Sequence, residues 1–511
     1  MAKFLFNDFY SVLEHHAKRR MFKKFIFFEN KSLSYLRFKA EVDRLSYILY
    51  SMGYREGYKI AILLRNSPDF LISLLAIQRI GAIPVPINTF LKEEEIKHIL
   101  EHSEAKLLIA EGFYRELGNS ILWKKDEYEY VINDFKVVFN YENIKPVDIK
   151  YKPSLDDTAV ILYTSGTTGK PKGVMLSYRN LISNVENIAF LGKVSSKDRF
   201  IVYLPMFHTF TLTASVLLPL YLGGSIVIIK SVFPFSNVLK QVLLKRVSIF
   251  LGVPEVYNAL SKANLPWYFK LFNRIRFFVS GGAPLPIETY ERMKKQFPKT
   301  PLIEGYGLTE CSPVVSINPP EKPKPMSVGL PLPDYSVKIV DDNFNELPVG
   351  EIGEIVVKGD CVMKGYYKDK EETEKIIKDG WLLTGDLGRF DEEGYLYIVD
   401  RKKDLIISKG INIYPRDIEE VLNSHPNIEV SAVVGKKDKT HGEIPVAFVK
   451  LAEGVKDFTE KEIKRFLKNK IADYKIPKHI IIVDDFPRNA TGKILKRKLK
   501  EMLENGVFNI R

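Results

Sequence analysis

The chain reads as an α/β protein of several units: a large N-terminal part containing a β-rich subdomain, and a small α+β module at the C-terminal end. Three observations predict this. Apolar strand, helix, apolar strand recurs between Ile60 and Val279; short strands separated by acidic turns take over from Ser327 to Val399; and five consecutive charges, Asp400-Arg401-Lys402-Lys403-Asp404, precede a segment with its own pattern. A length of 511 residues agrees, since ~150 residues per domain implies three or four folding units.

In the first part, Ile60-Ala61-Ile62-Leu63-Leu64 and Ile83-Pro84-Val85-Pro86-Ile87 read as buried strands around an amphipathic helix from Asp69 to Ile80. Ala159 to Tyr163, Gly224 to Ile229 and Phe277 to Val279 repeat the strand signal. Val337 to Val340, Glu354 to Val357 and Tyr395 to Val399 form the β-rich part, broken at Asp341-Asp342-Asn343 and Asp391-Glu392-Glu393-Gly394. The charge run marks a boundary that divides the chain into residues 1–400 and 401–511. Beyond it come a helix from Pro415 to Ser424, strands at Val430 to Val434 and Val446 to Leu451, a helix from Lys461 to Lys470, and a strand at Ile480 to Val483.

Composition narrows the class. A 45% hydrophobic, 27% charged chain is ordinary globular usage, which excludes collagen-like and wholly disordered proteins. Cys311 and Cys361 make no disulfide framework and no zinc-site spacing, so a reducing compartment is expected. Asn7 and Asp8 interrupt the apolar N-terminal residues, no signal peptide is read there, and the chain is expected in the cytoplasm. The longest apolar stretch, Leu212 to Ile229, is broken by Pro219 and Gly223-Gly224, so no membrane span is expected. The formal charge of +13 attracts anions, and the segment Arg401 to Arg511 concentrates it, with 24 basic against 16 acidic residues.

One segment carries most of the chemical information. Thr164-Ser165-Gly166-Thr167-Thr168-Gly169-Lys170-Pro171-Lys172-Gly173 follows a buried strand directly and offers hydroxyl donors, backbone N–H groups and two cations to an anion. It is a phosphate loop by composition, but its glycine spacing fits neither GxxxxGK[ST] nor GxGxxG.

Together with Glu304-Gly305-Tyr306-Gly307-Leu308-Thr309-Glu310, Thr384-Gly385-Asp386, Arg401 to Gly410 and Asn489-Ala490-Thr491-Gly492-Lys493, the loop resembles the adenylate-forming superfamily of acyl-CoA synthetases, luciferases and peptide-synthetase adenylation domains. Five motifs in that family's order and spacing, from about Tyr35 to Leu499, make the resemblance specific. It implies two stacked α/β subdomains and the β-rich subdomain in the large domain, a mobile small domain, and ATP, Mg²⁺ and coenzyme A as cofactors and co-substrates. The loop residues Thr164, Ser165, Gly166, Thr167, Thr168 and Lys172 would hold phosphates, with Glu310 and Thr164 at the Mg²⁺ and Thr309 on the α-phosphate. Adenine would lie between Tyr306 and the backbone of Gly281-Gly282-Ala283-Pro284, with Glu304 and Gly305 beside it. Asp386 would accept from the ribose hydroxyls with Arg401 completing that contact, and Lys493 would bridge the attacking carboxylate and the α-phosphate. Lys403 is the implied hinge, and rotation about it would exchange Lys493 for the Lys409-Gly410 strand, where the thiol of coenzyme A enters.

His208 falls where the family has a residue at the mouth of the acyl pocket. The absence of a carboxylate beside it, in Phe207-His208, disfavours an amino-acid substrate. Apolar walls are expected from Leu212, Val216, Val253, Tyr257, Val279 and Val314, and the segments Gly252-Val253-Pro254 and Glu310 to Val315 look most like bacterial fatty-acid CoA ligases. Leu212 stands where some long-chain members carry a bulky aromatic gate, and Ile411 where an aromatic or glutamate is common. The implied activity is ATP-dependent fatty acid:CoA ligation. The alternatives are an aryl or medium-size acid:CoA ligase, an acyl-AMP ligase loading a carrier protein, and a nucleotide sensor, the last opposed by retention of Lys493, Thr309, Glu310 and Asp386. The implied partners are fatty acid, ATP and coenzyme A, with no nucleic acid. A basic, aromatic-rich surface suits peripheral contact with the inner face of a membrane.

Overall fold

The computed structural model describes residues 4–111, 129–132, 145–165, 171–232, 234–438, 440–455, 458–488 and 492–508. The architecture is α/β, with a large N-terminal domain and a small C-terminal one. Its centre is a sheet of nine strands. Six of them, Lys24–Phe28, Ser225–Ile228, Arg199–Val202, Ile249–Gly252, Phe277–Ser280 and Leu302–Gly307, lie parallel in that spatial order, with antiparallel strands at both edges. Their apolar runs are buried on both faces because helices cover both, as a parallel sheet requires.

The expected strand–helix–strand around Asp69 is present. Lys59–Leu63 and Ile83–Pro86 pair in parallel in a second sheet, joined by helix Pro68–Arg79. Ser67 caps that helix by accepting from the Phe70 N–H, and Pro68 fits the first turn, where no N–H is needed. Instead of one apolar face, however, the helix buries every residue from Phe70 to Gln78. It is wedged inside the large domain, where the buried Gln78 side-chain nitrogen donates to the Ala159 carbonyl at 2.9 Å.

Strand Thr158–Ser165 departs from the parallel pattern. It pairs antiparallel with Pro171–Ser177 in a separate three-stranded sheet, so the phosphate-loop segment is the connection of a hairpin. The β-rich part is a five-stranded sheet in which Trp381–Phe390 pairs with both Gly353–Lys358 and Leu396–Arg401. The long apolar stretch is not one helix. Leu212–Leu217 forms a wide π-helical turn, Leu218–Leu222 an α-helical turn and Ser225–Ile228 a strand, and no described helix is long and apolar enough to cross a membrane.

Past the charge run, Pro415–Asn423 and Glu460–Lys468 pack on a sheet built around Ile428–Asp438 and Gly442–Leu451. This module has two apolar clusters of its own, one around Ile413, Val433 and Ile463 and one around Phe448, Phe486 and Leu499. Among the described residues, no hydrophobic cluster mixes side chains from before and after Arg401.

Candidate active site

A cleft of 2250 Å³ opens at the C-terminal ends of the parallel strands and is closed from above by the small module. The most constrained polar cluster in it centres on Asp386. The antiparallel register sets Asp386 opposite Arg401, and Arg401 Nε reaches Asp386 Oδ1 at 3.1 Å. Tyr306 donates its hydroxyl to Asp386 Oδ2 at 2.6 Å. The Asp386 side chain is almost fully buried, and its charge raises the pKa of Arg401, so the guanidinium stays charged. Burial pushes the Tyr306 hydroxyl well above its usual range, so it remains a donor. The glycine after Tyr306 has a steric cause. A Cβ on Gly307 would stand 2.0 Å from the Pro313 carbonyl oxygen, where strand Leu302–Gly307 meets Val314–Ile317.

Thr309 and Glu310 follow in a short 3-10 turn, Thr309–Cys311. Two partners missed by the sequence reading hold them. Thr209 Oγ1 bonds Thr309 Oγ1 at 3.0 Å, and Tyr366 donates to Glu310 Oε1 at 2.9 Å. Thr164 and Lys172 line the same cleft, and Lys172 pairs with Glu372 at 2.5 Å beside the Tyr366 ring. Gly166, Thr167 and Thr168 lie outside the described residues, and Ser165 ends its strand. The described residues hold no group of three or more metal-ligating side chains. The Glu310 carboxylate suits Mg²⁺, which keeps its waters and takes further oxygens from substrate phosphates.

Lys493 enters this cleft from the small module. Burial, aided by Arg401 and opposed by Asp386, lowers its pKa to about 8. Burial and the Lys493 charge bring His208 down to about 4, so its imidazole is neutral. His208 caps the helical turn Thr209–Thr211, with Nδ1 accepting from the Phe210 N–H at 3.3 Å; the proton is thereby assigned to Nε2. Glu304 is buried in the wall and raised to about 7 despite Arg416 nearby. Gly282, Ala283, Gly305 and Lys403 also line the cleft. Lys402, next to Lys403, is tied to the large domain through Asp342 at 2.7 Å and Glu354 at 3.0 Å.

From His208 an apolar corridor runs back along the sheet. Val279 and Leu251 stand near its mouth, Phe277 and Ile249 one step deeper in register, with Phe200 and Val194 at the far end. Val253 and Val314 join the wall as expected. Leu212 and Tyr257 do not. Leu212 is fully buried in the helical layer, and Tyr257 is held behind the strands by hydrogen bonds to the carbonyls of Phe250 at 2.9 Å and Val279 at 2.7 Å. Val216 is likewise buried away from the corridor. The Lys409-Gly410 turn lies outside the cleft, between strands Ile406–Ser408 and Ile411–Ile413.

The chain matches the family model of the AMP-binding enzymes over residues 13–367 and that of the AMP-binding enzyme C-terminal domain over residues 417–493. It is 34% identical to a long-chain-fatty-acid–CoA ligase of Bacillus subtilis, over 96% of this chain and 94% of that protein. It is 36% identical to a 2-succinylbenzoate–CoA ligase of Bacillus licheniformis, over 91% and 94%. Among solved structures, ATP-bound MatB from Rhodopseudomonas palustris superposes with a TM-score of 0.88 at 31% identity, covering 95% of this chain and 96% of that one. The chain belongs to the AMP-binding enzyme family, the adenylate-forming superfamily, in its acyl-CoA synthetase branch.

Proposed function

We infer that the protein joins a long, unbranched fatty acid to coenzyme A at the expense of ATP, through an acyl-adenylate. The observation that carries the choice of acid is the apolar corridor. From Gly252 back to Ile249 the strand alone spans roughly 10 Å, and the corridor follows it to its end, a depth that suits an extended alkyl chain better than a single ring. The relatives support the class of reaction, since their names are those of acid–CoA ligases.

In this reading the ribose hydroxyls bond Asp386 beside Arg401, and adenine lies on Tyr306 against Gly282 and Ala283. Glu310 and Thr164 would hold Mg²⁺, which neutralises phosphate charge when bound. His208, neutral and protonated at Nε2, donates to the substrate carboxylate without adding a competing cation. Lys493 offsets the charge of two anions brought together. The carboxylate oxygen attacks the α-phosphorus, the bond from that phosphorus to the pyrophosphate oxygen breaks, and pyrophosphate leaves. The coenzyme A sulfur, having lost its proton, then attacks the acyl carbonyl carbon; the carbon–oxygen bond breaks and AMP leaves.

Rotation of residues 401–511 about Lys403 between these steps is part of the same reading. A polar interdomain surface with separate cores on each side supports it, because no shared apolar core has to be opened. The test is AMP release in the presence of coenzyme A with acids from acetate to oleate, plus benzoate, cinnamate and 2-succinylbenzoate. kcat/KM should climb about fourfold per methylene until the corridor is filled. A second reading, an aryl acid as substrate, draws on the 36% identity to a 2-succinylbenzoate–CoA ligase; a maximum at any aromatic acid would establish it and overturn the first.

A further inference from the structure

On the outer surface, away from the nucleotide residues, the short helix Trp267–Phe272 turns one residue inward and five outward, four of them apolar or aromatic. Phe269 is 3% exposed and belongs to the core, whereas Trp267 is 71%, Tyr268 47%, Leu271 67% and Phe272 58% exposed. Trp267, Tyr268, Leu271 and Phe272 form one ridge, with the Trp267 ring 6.1 Å from Tyr268 and 6.3 Å from Phe272. Leu244, 61% exposed, ends the helix Phe235–Leu244 that packs beside it. Single exposed apolar side chains are ordinary on a protein surface, but a contiguous aromatic ridge is not.

The sequence that carries the ridge is strongly basic. Between Lys230 and Arg276 the sequence carries eight basic residues and a single acid, Glu255, which sits in the cleft against Arg488. Lys230 and Arg276 are paired with Glu29 and Asp198. Among the described residues no ion pair engages Lys240, Lys262, Lys270 or Arg274, and Lys270 lies within the ridge itself.

We propose that this ridge docks the protein onto an anionic lipid bilayer, with Trp267, Leu271 and Phe272 at the level of the headgroups and acyl boundary and the lysines and Arg274 against lipid phosphates. Tryptophan, tyrosine and large aliphatic side chains flanked by lysine are the composition of an interfacial segment, and the uncompensated cations match an anionic surface. A second copy of the chain is a poorer occupant, because a two-fold contact would bring Lys270 and Arg274 against their own equivalents. The helix Pro254–Lys262, whose inner residues line the cleft, leads directly into the ridge, so docking would bring the bilayer to the neighbourhood of the cleft rim.

The proposal is independent of which acid is ligated, and its test uses no substrate. The full-length protein is sedimented with vesicles of phosphatidylcholine alone and of equal parts phosphatidylcholine and phosphatidylglycerol, and its size is followed by gel filtration without lipid. Binding should be about tenfold tighter to the anionic vesicles. Trp267→Ser with Leu271→Ser and Phe272→Ser should lose it by about tenfold or more, and Lys270→Glu with Arg274→Glu should remove the preference for anionic lipid. These positions are exposed, and unchanged thermal midpoints verify folding; if the triple variant unfolds, the charge-reversal pair decides alone. Equal binding by wild type and charge-reversed protein would overturn the proposal, as would self-association in solution that the triple variant abolishes without any vesicle binding by wild type.

Discussion

Around Asp386 the large domain fixes its polar side chains through short bonds from Tyr306 and Arg401, and neighbouring bonds fix Thr309 and Glu310. Lys493 reaches the same cleft from a module with two cores of its own, across a surface where, beyond the pairs made by Arg401 and Lys402 at the boundary itself, the described side-chain ion pair between the two parts is Arg488 with Glu255 at 3.3 Å. The contrast separates two demands of one site. A nucleotide pocket gains from partners set in advance, since they cost no reorganisation when charge develops. A cation needed in only one of two successive steps gains from a mount that can leave.

Removing the cation should have the largest effect and the most one-sided one. Lys493→Ala is expected to reduce adenylation, followed by pyrophosphate exchange, by about 10²–10³-fold, while thioester formation from supplied acyl-adenylate stays near wild type. Equal loss in both half-reactions would make the lysine part of the fixed pocket and erase the distinction.

Breaking the fixed side should cost less and appear in binding. Asp386→Ala removes an acceptor that serves charged hydrogen bonds, and the KM for ATP should rise about 30-fold with a smaller change in kcat. An unchanged KM would take Asp386 out of the ribose site.

The smallest effect is a pH limb. With a pKa of about 8 in the substrate-free protein, Lys493 is charged below that pH and neutral above it, so kcat/KM for adenylation should hold below pH 8 and fall as pH rises through it. Lys493→Arg keeps its charge at all accessible pH, and whatever activity it retains should lack the limb.

Much of this arrangement is legible in the sequence because short motifs stay on single elements. Asp386 and Arg401 sit on neighbouring strands of one meander, so reading both motifs already places them near each other. Thr209 and Tyr366 were not legible. Tyr366 meets Glu310 only because the two-residue strand Gly365–Tyr366 pairs with Pro171–Ser177, and Thr209 meets Thr309 through packing of a helix start on a turn 100 residues away. The pocket walls were half legible. Apolar character marks Leu212 and Tyr257 as buried, but it does not distinguish a residue lining a corridor from one in the layer behind. The π-helical turn at Leu212–Leu217, which breaks the 3.6-residue spacing, has no signature in composition. Helix Pro68–Arg79 fails in the same way, its inner and outer faces both covered by neighbours distant in sequence.

The central claim, that one cleft runs two reactions because the small module carries Lys493 in and then withdraws it, is tested by preventing the withdrawal. Glu255→Cys and Arg488→Cys place two thiols where the domains meet, while Cys311 and Cys361 are fully buried and shielded from reagent. Joining the new pair with a bismaleimide should leave pyrophosphate exchange intact and abolish acyl-CoA formation, with each single-cysteine control, treated identically, performing both. Acyl-CoA production by the cross-linked protein at the rate of its controls would contradict the claim.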